Sequence, residues 1–168
     1  MENLLRDERF SLVSDGDKAF IASFDEEIGK LGYDSGGEIG SGYLWGRYMI
    51  IYSRTGVKAR RVLARIYLRE KGIVLRLFLN RVDEHRRFIE EAPDHIKEAF
   101  TGDYGRCRHC KNQREGVCRF RKTYTLGDQF IEMCNGLTFE FREPTVERLP
   151  DYMRLLVEFL PHARLKVG

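Results

Sequence analysis

Residues 62–80 read VLARIYLREKGIVLRLFLN. In its two runs, Val62–Arg69 and Ile73–Asn80, apolar residues return at every second position, the pattern of half-buried strands. A two-residue turn at Lys71-Gly72 sets Leu68 opposite Leu75, Ile66 opposite Leu77 and Ala64 opposite Leu79, so that one apolar row faces a core. The same register sets Arg65 beside Phe78, Tyr67 beside Arg76 and Arg69 beside Val74 on the other face. A hairpin with one apolar face must be covered, and the flanking sequence supplies the cover.

Toward the N-terminus, Ser14–Leu31 is expected to form an amphipathic helix. Ser14 is a cap, Asp17 stands three residues on, and Phe20, Phe24, Ile28 and Leu31 recur at helical spacing before Gly32. Gly36–Gly42 is rich in glycine, but a phosphate loop opens into a helix and this stretch opens into a strand, so it reads as a flexible connection. Tyr43–Ser53, with Trp45, Tyr48, Ile50, Ile51 and Tyr52, reads as a well-covered strand. Toward the C-terminus, Asp83–Glu91 and Pro93–Thr101 are expected as short helices. Turns at Gly127-Asp128 and Asn135-Gly136 would join Arg119–Leu126, Gln129–Cys134 and Leu137–Arg142 into a three-strand meander. Thr145–Leu160 closes the chain as a helix with Pro150 near its first turn and Pro161 as its stop. The expected fold class is α+β: a single domain over residues 1–168 whose mainly antiparallel sheet packs against helices.

The 168 residues are 42% hydrophobic, enough to build one core without disulfides. The first nine residues are charged throughout, and no apolar run approaches the ~20 residues that span a bilayer. A soluble cytoplasmic protein with no membrane partner is therefore expected. Lys and Arg number 29 against 26 Asp and Glu, a net charge of +3 that announces no partner by itself. The near balance is an average. Residues 104–122 hold seven bases (Arg106, Arg108, Lys111, Arg114, Arg119, Arg121 and Lys122) against one acid, Glu115.

All four cysteines fall in or next to that basic segment, spaced Cys107-x2-Cys110-x7-Cys118-x15-Cys134. Pairing about the Gly127-Asp128 turn sets Cys134 opposite Arg121, three residues from Cys118, a gap of about 10 Å along a straight strand. A CxxC pair and two further thiolates complete a tetrahedral zinc site, so residues 103–136 read as a zinc-stapled subregion with Cys107, Cys110, Cys118 and Cys134 as ligands. Unliganded cysteines, a redox CxxC, an iron–sulfur cluster and a disulfide are the competing uses of four thiols. His109 lies between the two cysteines of the CxxC and could replace one thiolate. A closed four-thiolate shell has no open position for water, which makes the expected metal structural.

The arginine and aromatic face of the hairpin has two readings. It could stack bases and neutralise phosphates as nucleic-acid-binding sheets do, or its long side chains could cover a half-solvated face with their stems. A small-molecule pocket among Trp45, Tyr48, Tyr52 and Tyr67 is a third use. The candidate ligand-binding residues are accordingly Trp45, Tyr48, Tyr52, Arg65, Tyr67, Arg76 and Phe78. His85, His95, His109 and His162 belong to no recognisable catalytic motif and read as surface histidines, and no P-loop, nucleophile elbow or dinucleotide fingerprint occurs. No catalytic residue is nominated.

The run Tyr43–Phe100, a glycine-interrupted aromatic strand followed by a basic hairpin and a helix pair, is similar to small bacterial α+β proteins of the domain-of-unknown-function kind that includes YdhG-like proteins. Related chains also resemble the segment from Cys118 through Tyr124-Thr125 to Cys134-Asn135-Gly136-Leu137-Thr138-Phe139-Glu140-Phe141, and the helix start Leu149-Pro150-Asp151-Tyr152. The resemblance implies a small cytosolic α+β domain and carries over no catalytic residues; the cysteine-rich segment departs from the YdhG-like pattern. The expected function is a binding or interaction module with a structural zinc, its partner a protein or a small molecule. Nucleic-acid binding through the basic loop and the arginine face, and an enzyme of unspecified reaction, are the alternatives.

Overall fold

Helix formation begins where the capping side chain stands. The Ser14 hydroxyl accepts the Asp17 N–H at 3.1 Å, and the first helix runs from Asp15 to Lys30 until Gly32, at φ 79°, turns the chain. The structure is a computed structural model that describes residues 5–54, 62–110, 118, 120–134 and 138–160. In chain order its elements are α1 (Asp15–Lys30), β1 (Tyr33–Asp34), β2 (Ile39–Ser41), β3 (Tyr48–Arg54), β4 (Val62–Leu68), β5 (Ile73–Phe78), α2 (Arg86–Glu90), α3 (Asp94–Thr101), β6 (Lys122–Leu126), β7 (Gln129–Met133), β8 (Thr138–Arg142) and α4 (Leu149–Phe159). Short 3-10 turns precede α2 and α4, at Val82–His85 and Val146–Arg148, where the sequence reading had continuous helices. The class is α+β. The chain divides into two compact units, residues 1–78 with 140–150 and residues 79–139 with 151–168.

The first unit is built on a six-stranded sheet in the order β1, β3, β4, β5, β8, with β2 also on β3. β1 and β2 lie end to end along β3, both antiparallel to it, because Gly36 and Gly37 at φ 63° and 70° turn the chain between them. The stretch read as a flexible connection thus contributes a strand. β4 and β5 pair with Leu68 opposite Ile73, Ile66 opposite Leu75 and Ala64 opposite Leu77. This register is two residues away from the one expected. The loop is Glu70-Lys71, closed by the Arg69 N–H donating to the Gly72 carbonyl at 3.1 Å, and Gly72 takes its left-handed geometry, φ 75°, just beyond the loop. A shift by an even number leaves every side chain on its own face. Ala64, Ile66, Leu68, Leu75 and Leu77 are accordingly all buried, and α1 covers this row, with Phe24 edge-on to Tyr52 at 5.2 Å.

The aromatic strand starts at Tyr48, five residues later than the sequence suggested. Two glycines account for the delay. A Cβ on Gly42 would lie 2.2 Å from the Gly46 carbonyl oxygen, and one on Gly46 would lie 2.8 Å from that of Leu68. The backbone therefore closes tightly on itself over 42–46 and leaves Tyr43 and Leu44 at the exposed tip.

In the second unit β6 and β7 form an antiparallel hairpin whose register, Leu126 opposite Gln129 and Lys122 opposite Met133, is the one expected about Gly127-Asp128. Asp83 accepts the Thr125 N–H at 2.9 Å and Glu90 the Gly127 N–H at 2.7 Å, so carboxylates before and within α2 hold the hairpin backbone. Tyr124 donates its hydroxyl to the Phe100 carbonyl, and the Phe100 ring lies 4.1 Å from that of Phe139. The expected meander is not formed. The free edge of β7 is occupied by Gly105–Cys107: the Cys107 N–H donates to Glu132 at 2.9 Å, the Cys134 N–H donates to Gly105 at 2.7 Å, and Arg106 bridges Met133 between them. β8 joins the six-stranded sheet beside β5 instead. The turn read at Asn135-Gly136 lies outside the described residues.

Replacing Ser14 by Ala removes the acceptor for the Asp17 N–H and should lower the unfolding free energy by about 1 kcal/mol, whereas Ser14→Gly should lower it by only a few tenths. Urea denaturation with an unchanged m-value is the measurement. Equal midpoints for Ser14→Ala and the unaltered chain would contradict the cap.

Candidate functional site

The ladder on the edge of β7 decides where the cysteines stand. With Gly105 opposite Cys134 and Cys107 opposite Glu132, Cys107 and Cys134 share one face two residues apart in register. On the other side of β7 the hairpin register ends at Lys122 opposite Met133, and the N–H of Arg121, the residue before it, donates to the Cys118 carbonyl at 3.1 Å. Backbone pairing thus brings Cys107 and Cys134 to one face of this edge, while Cys118 lies in a turn just before β6. Cys110 is exposed, and none of the four cysteines is in a disulfide. Among the described residues, no group of three or more His, Cys, Asp or Glu side chains is arranged to hold a metal ion.

Glu132 organises the surroundings. Its carboxylate meets His109 Nε2 at 2.8 Å and Arg121 Nη1 at 3.2 Å, tying the CxxC loop to β7 through a residue the sequence reading passed over. His109 is held at φ 47° within that loop. Arg106, one of the seven bases of the segment, donates to the carbonyls of Thr101 and Gly102 at 2.6 and 3.0 Å and so satisfies the end of α3. Lys111, Arg114, Glu115 and Arg119 lie outside the described residues.

A second cluster lies in the first unit, on the sheet face opposite α1. Arg76 and Glu140 are both buried, their side chains 5% and 1% exposed. Nε and Nη2 of Arg76 donate to Glu140 Oε2 at 3.0 and 2.7 Å, while the guanidinium lies 4.8 Å from the Trp45 ring and 4.9 Å from that of Tyr67. The other oxygen of Glu140 accepts from Arg142 Nε at 3.0 Å and stands 4.0 Å from Arg69 Nη2. Arg69 Nε in turn donates to the Trp45 carbonyl at 2.7 Å, which anchors the glycine-closed loop. Arg65 lies over Phe78 at 5.1 Å and donates from Nη1 to the Tyr67 hydroxyl at 3.3 Å. Of the two readings of this face, the structure fits coverage by long side chains at its centre, since Met49, Tyr67, Val74 and Arg76 are buried.

The seven candidate ligand-binding residues therefore separate. Trp45, Arg65, Tyr67, Arg76 and Phe78 belong to this face. Tyr48 and Tyr52 alternate to the other one. Tyr52 is buried against Phe24, its hydroxyl without a hydrogen-bond partner; burial, with the nearby Asp25 charge, pushes its pKa well above the usual phenol range. Tyr48 lies between the guanidiniums of Arg9 and Arg47, at 6.0 and 5.9 Å, beside a cleft of about 240 Å³. Hydrogen bonds from Arg9 hold the Asp7 carboxyl there down to about 2. The three described histidines each meet a carboxylate: His85 with Glu158 at 2.8 Å, His95 with Asp151 at 3.3 Å, and His109 with Glu132. His162 lies outside the described residues.

Sequence reasoning also missed Glu140. Its one signal was a lone carboxylate between two aromatic residues, Phe139 and Phe141, in a short strand. No protein-family model, curated protein or solved structure matches the chain.

Glu140→Leu strands a buried guanidinium and should cost about 3–5 kcal/mol in chemical denaturation, while adding Arg76→Met should restore most of that loss. Additive losses in the two single variants and the double variant would show that the pair is not coupled.

Proposed function

We propose that the chain is a binding module whose cysteine-rich segment is stapled by a structural zinc on Cys107, Cys110, Cys118 and Cys134. The supporting observation is the backbone pairing that sets Cys107 and Cys134 on one face of the β7 edge, with Cys118 in the turn that leads into β6 and Cys110 three residues from Cys107 on the loop that Glu132 tethers. Four thiolates suit zinc by softness and by number, and they close its coordination shell. Glu132 would then serve as an outer brace, fixing His109 and Arg121 rather than ligating. The metal supplies what residues 102–122 lack in apolar side chains; structural zinc contributes ~10–16 kcal/mol of apparent free energy in small zinc peptides.

Elemental analysis of the purified chain should find about one zinc per molecule. The four thiols should resist a thiol reagent until a chelator is added, and Cys118→Ser should lower both zinc content and melting temperature. Metal-free protein that melts like the original preparation, or thiols that react at once, would overturn the proposal. A Cys107–Cys110 disulfide that forms reversibly would assign the segment to redox chemistry instead.

A further inference from the structure

We infer that a cleft in the second unit, between the α2–α3 connection and α4, binds a small zwitterion, a free α-amino acid with an apolar side chain. The inference does not rest on the zinc. Every residue that lines the cleft belongs to the second unit, and its volume is about 160 Å³, close to the ~150 Å³ in which a protein interior holds a benzene ring. Its floor is apolar and its mouth is open. Ala92 and Ile96 are buried and Phe88 is half-buried, while Glu91, Pro93 and Arg154 are exposed.

Two opposite charges on α4 line this cleft without meeting each other. Asp151 and Arg154 stand three residues apart on the helix, a spacing at which aspartate and arginine are neighbours and can pair. Among the described residues, however, no ion pair within 4 Å joins them, and Arg154 meets no other carboxylate within that distance. Asp151 meets His95 Nε2 at 3.3 Å, but that nitrogen is buried without a hydrogen bond, so the carboxylate accepts none from it. On the connection, Glu91 is a second carboxylate at the mouth, engaged by Arg87 at 2.8 Å.

The occupant follows from this layout. A guanidinium takes a carboxylate through paired N–H donors, and an ammonium supplies the donors that the Asp151 carboxylate lacks. Helix neighbours at this spacing lie about 5–6 Å apart at Cβ. The two charges of the ligand must therefore be close together, as they are on the α-carbon of an amino acid. An aliphatic side chain then covers the apolar floor. A simple anion would leave Asp151 without donors, and a simple amine would leave Arg154 unmatched.

L-Leucine is the probe. The full chain, labelled with 15N, is titrated with leucine and with its truncated analogues: 4-methylpentanoate lacks the ammonium, isopentylamine the carboxylate and glycine the side chain. Leucine should bind saturably with a Kd of about 1 mM or tighter, and at least about tenfold more tightly than each analogue. The amides that shift should be those of residues 88–96 and 151–154. Arg154→Gln, at an exposed position, should weaken leucine binding about tenfold without moving the melting temperature, and should abolish the preference for leucine over isopentylamine. Asp151→Asn should abolish the preference over 4-methylpentanoate, a ratio that a change in stability alone does not move. Absence of saturation by about 50 mM leucine, shifts confined to other residues, an analogue that binds as tightly as leucine, or full affinity in Arg154→Gln would overturn the inference. So would leucinamide binding as tightly as leucine, since the cleft would then take the N-terminus of a peptide.

Discussion

The edge of β7 can be paired once, and much of the structure depends on what pairs there. Gly105–Cys107 takes that edge through two backbone hydrogen bonds of 2.9 and 2.7 Å. A backbone edge left unpaired in a folded interior is costly, so occupation by one segment excludes another. β8, the next strand in the chain, adds to β5 in the six-stranded sheet. Two chemical consequences follow at once: Cys107 arrives on the same face as Cys134, and Glu140 arrives beside Arg76. Gly105 makes the first of these geometrically possible, since it sits at φ 76° and a Cβ there would stand 2.9 Å from the Met133 side chain.

The Arg76–Glu140 pair shows why a buried charge fixes an arrangement more firmly than it stabilises one. Removing both ions from water consumes most of their mutual attraction, so the pair adds little net stability. An alternative pairing for β8 would bury one of these charges without its partner, which is far worse than forming no pair. The two aromatic rings on the Arg76 guanidinium and the second oxygen of Glu140, engaged by Arg142 and approached by Arg69, complete the satisfaction of the buried groups.

Local signals in the sequence were legible where local physics decides. The Ser14 cap, the apolar spacing of α1, the Gly127-Asp128 turn and the two faces of the β4–β5 hairpin are all set by neighbours a few residues apart. The hairpin register was misread by two because Gly72 lies outside its loop, yet the parity of strands preserved both faces. What the sequence could not show is competition between distant segments. Gly105–Cys107 has no strand signature, being short, polar and cationic, and nothing local says that it will displace β8 from β7. Glu140 was overlooked for the same reason, because its partner lies 64 residues away. The cysteine spacing was visible, while the brace from Glu132 to His109 was not.

The most direct test is the edge pairing itself, observed in solution by NMR. Arg106 and Met133 form a pair flanked by the Cys107 and Cys134 hydrogen bonds, so their Hα protons should show a strong cross-strand contact, and the amides of Cys107 and Cys134 should exchange slowly with solvent. Fast exchange at both amides, together with cross-strand contacts between β7 and β8, would restore the meander and contradict the account.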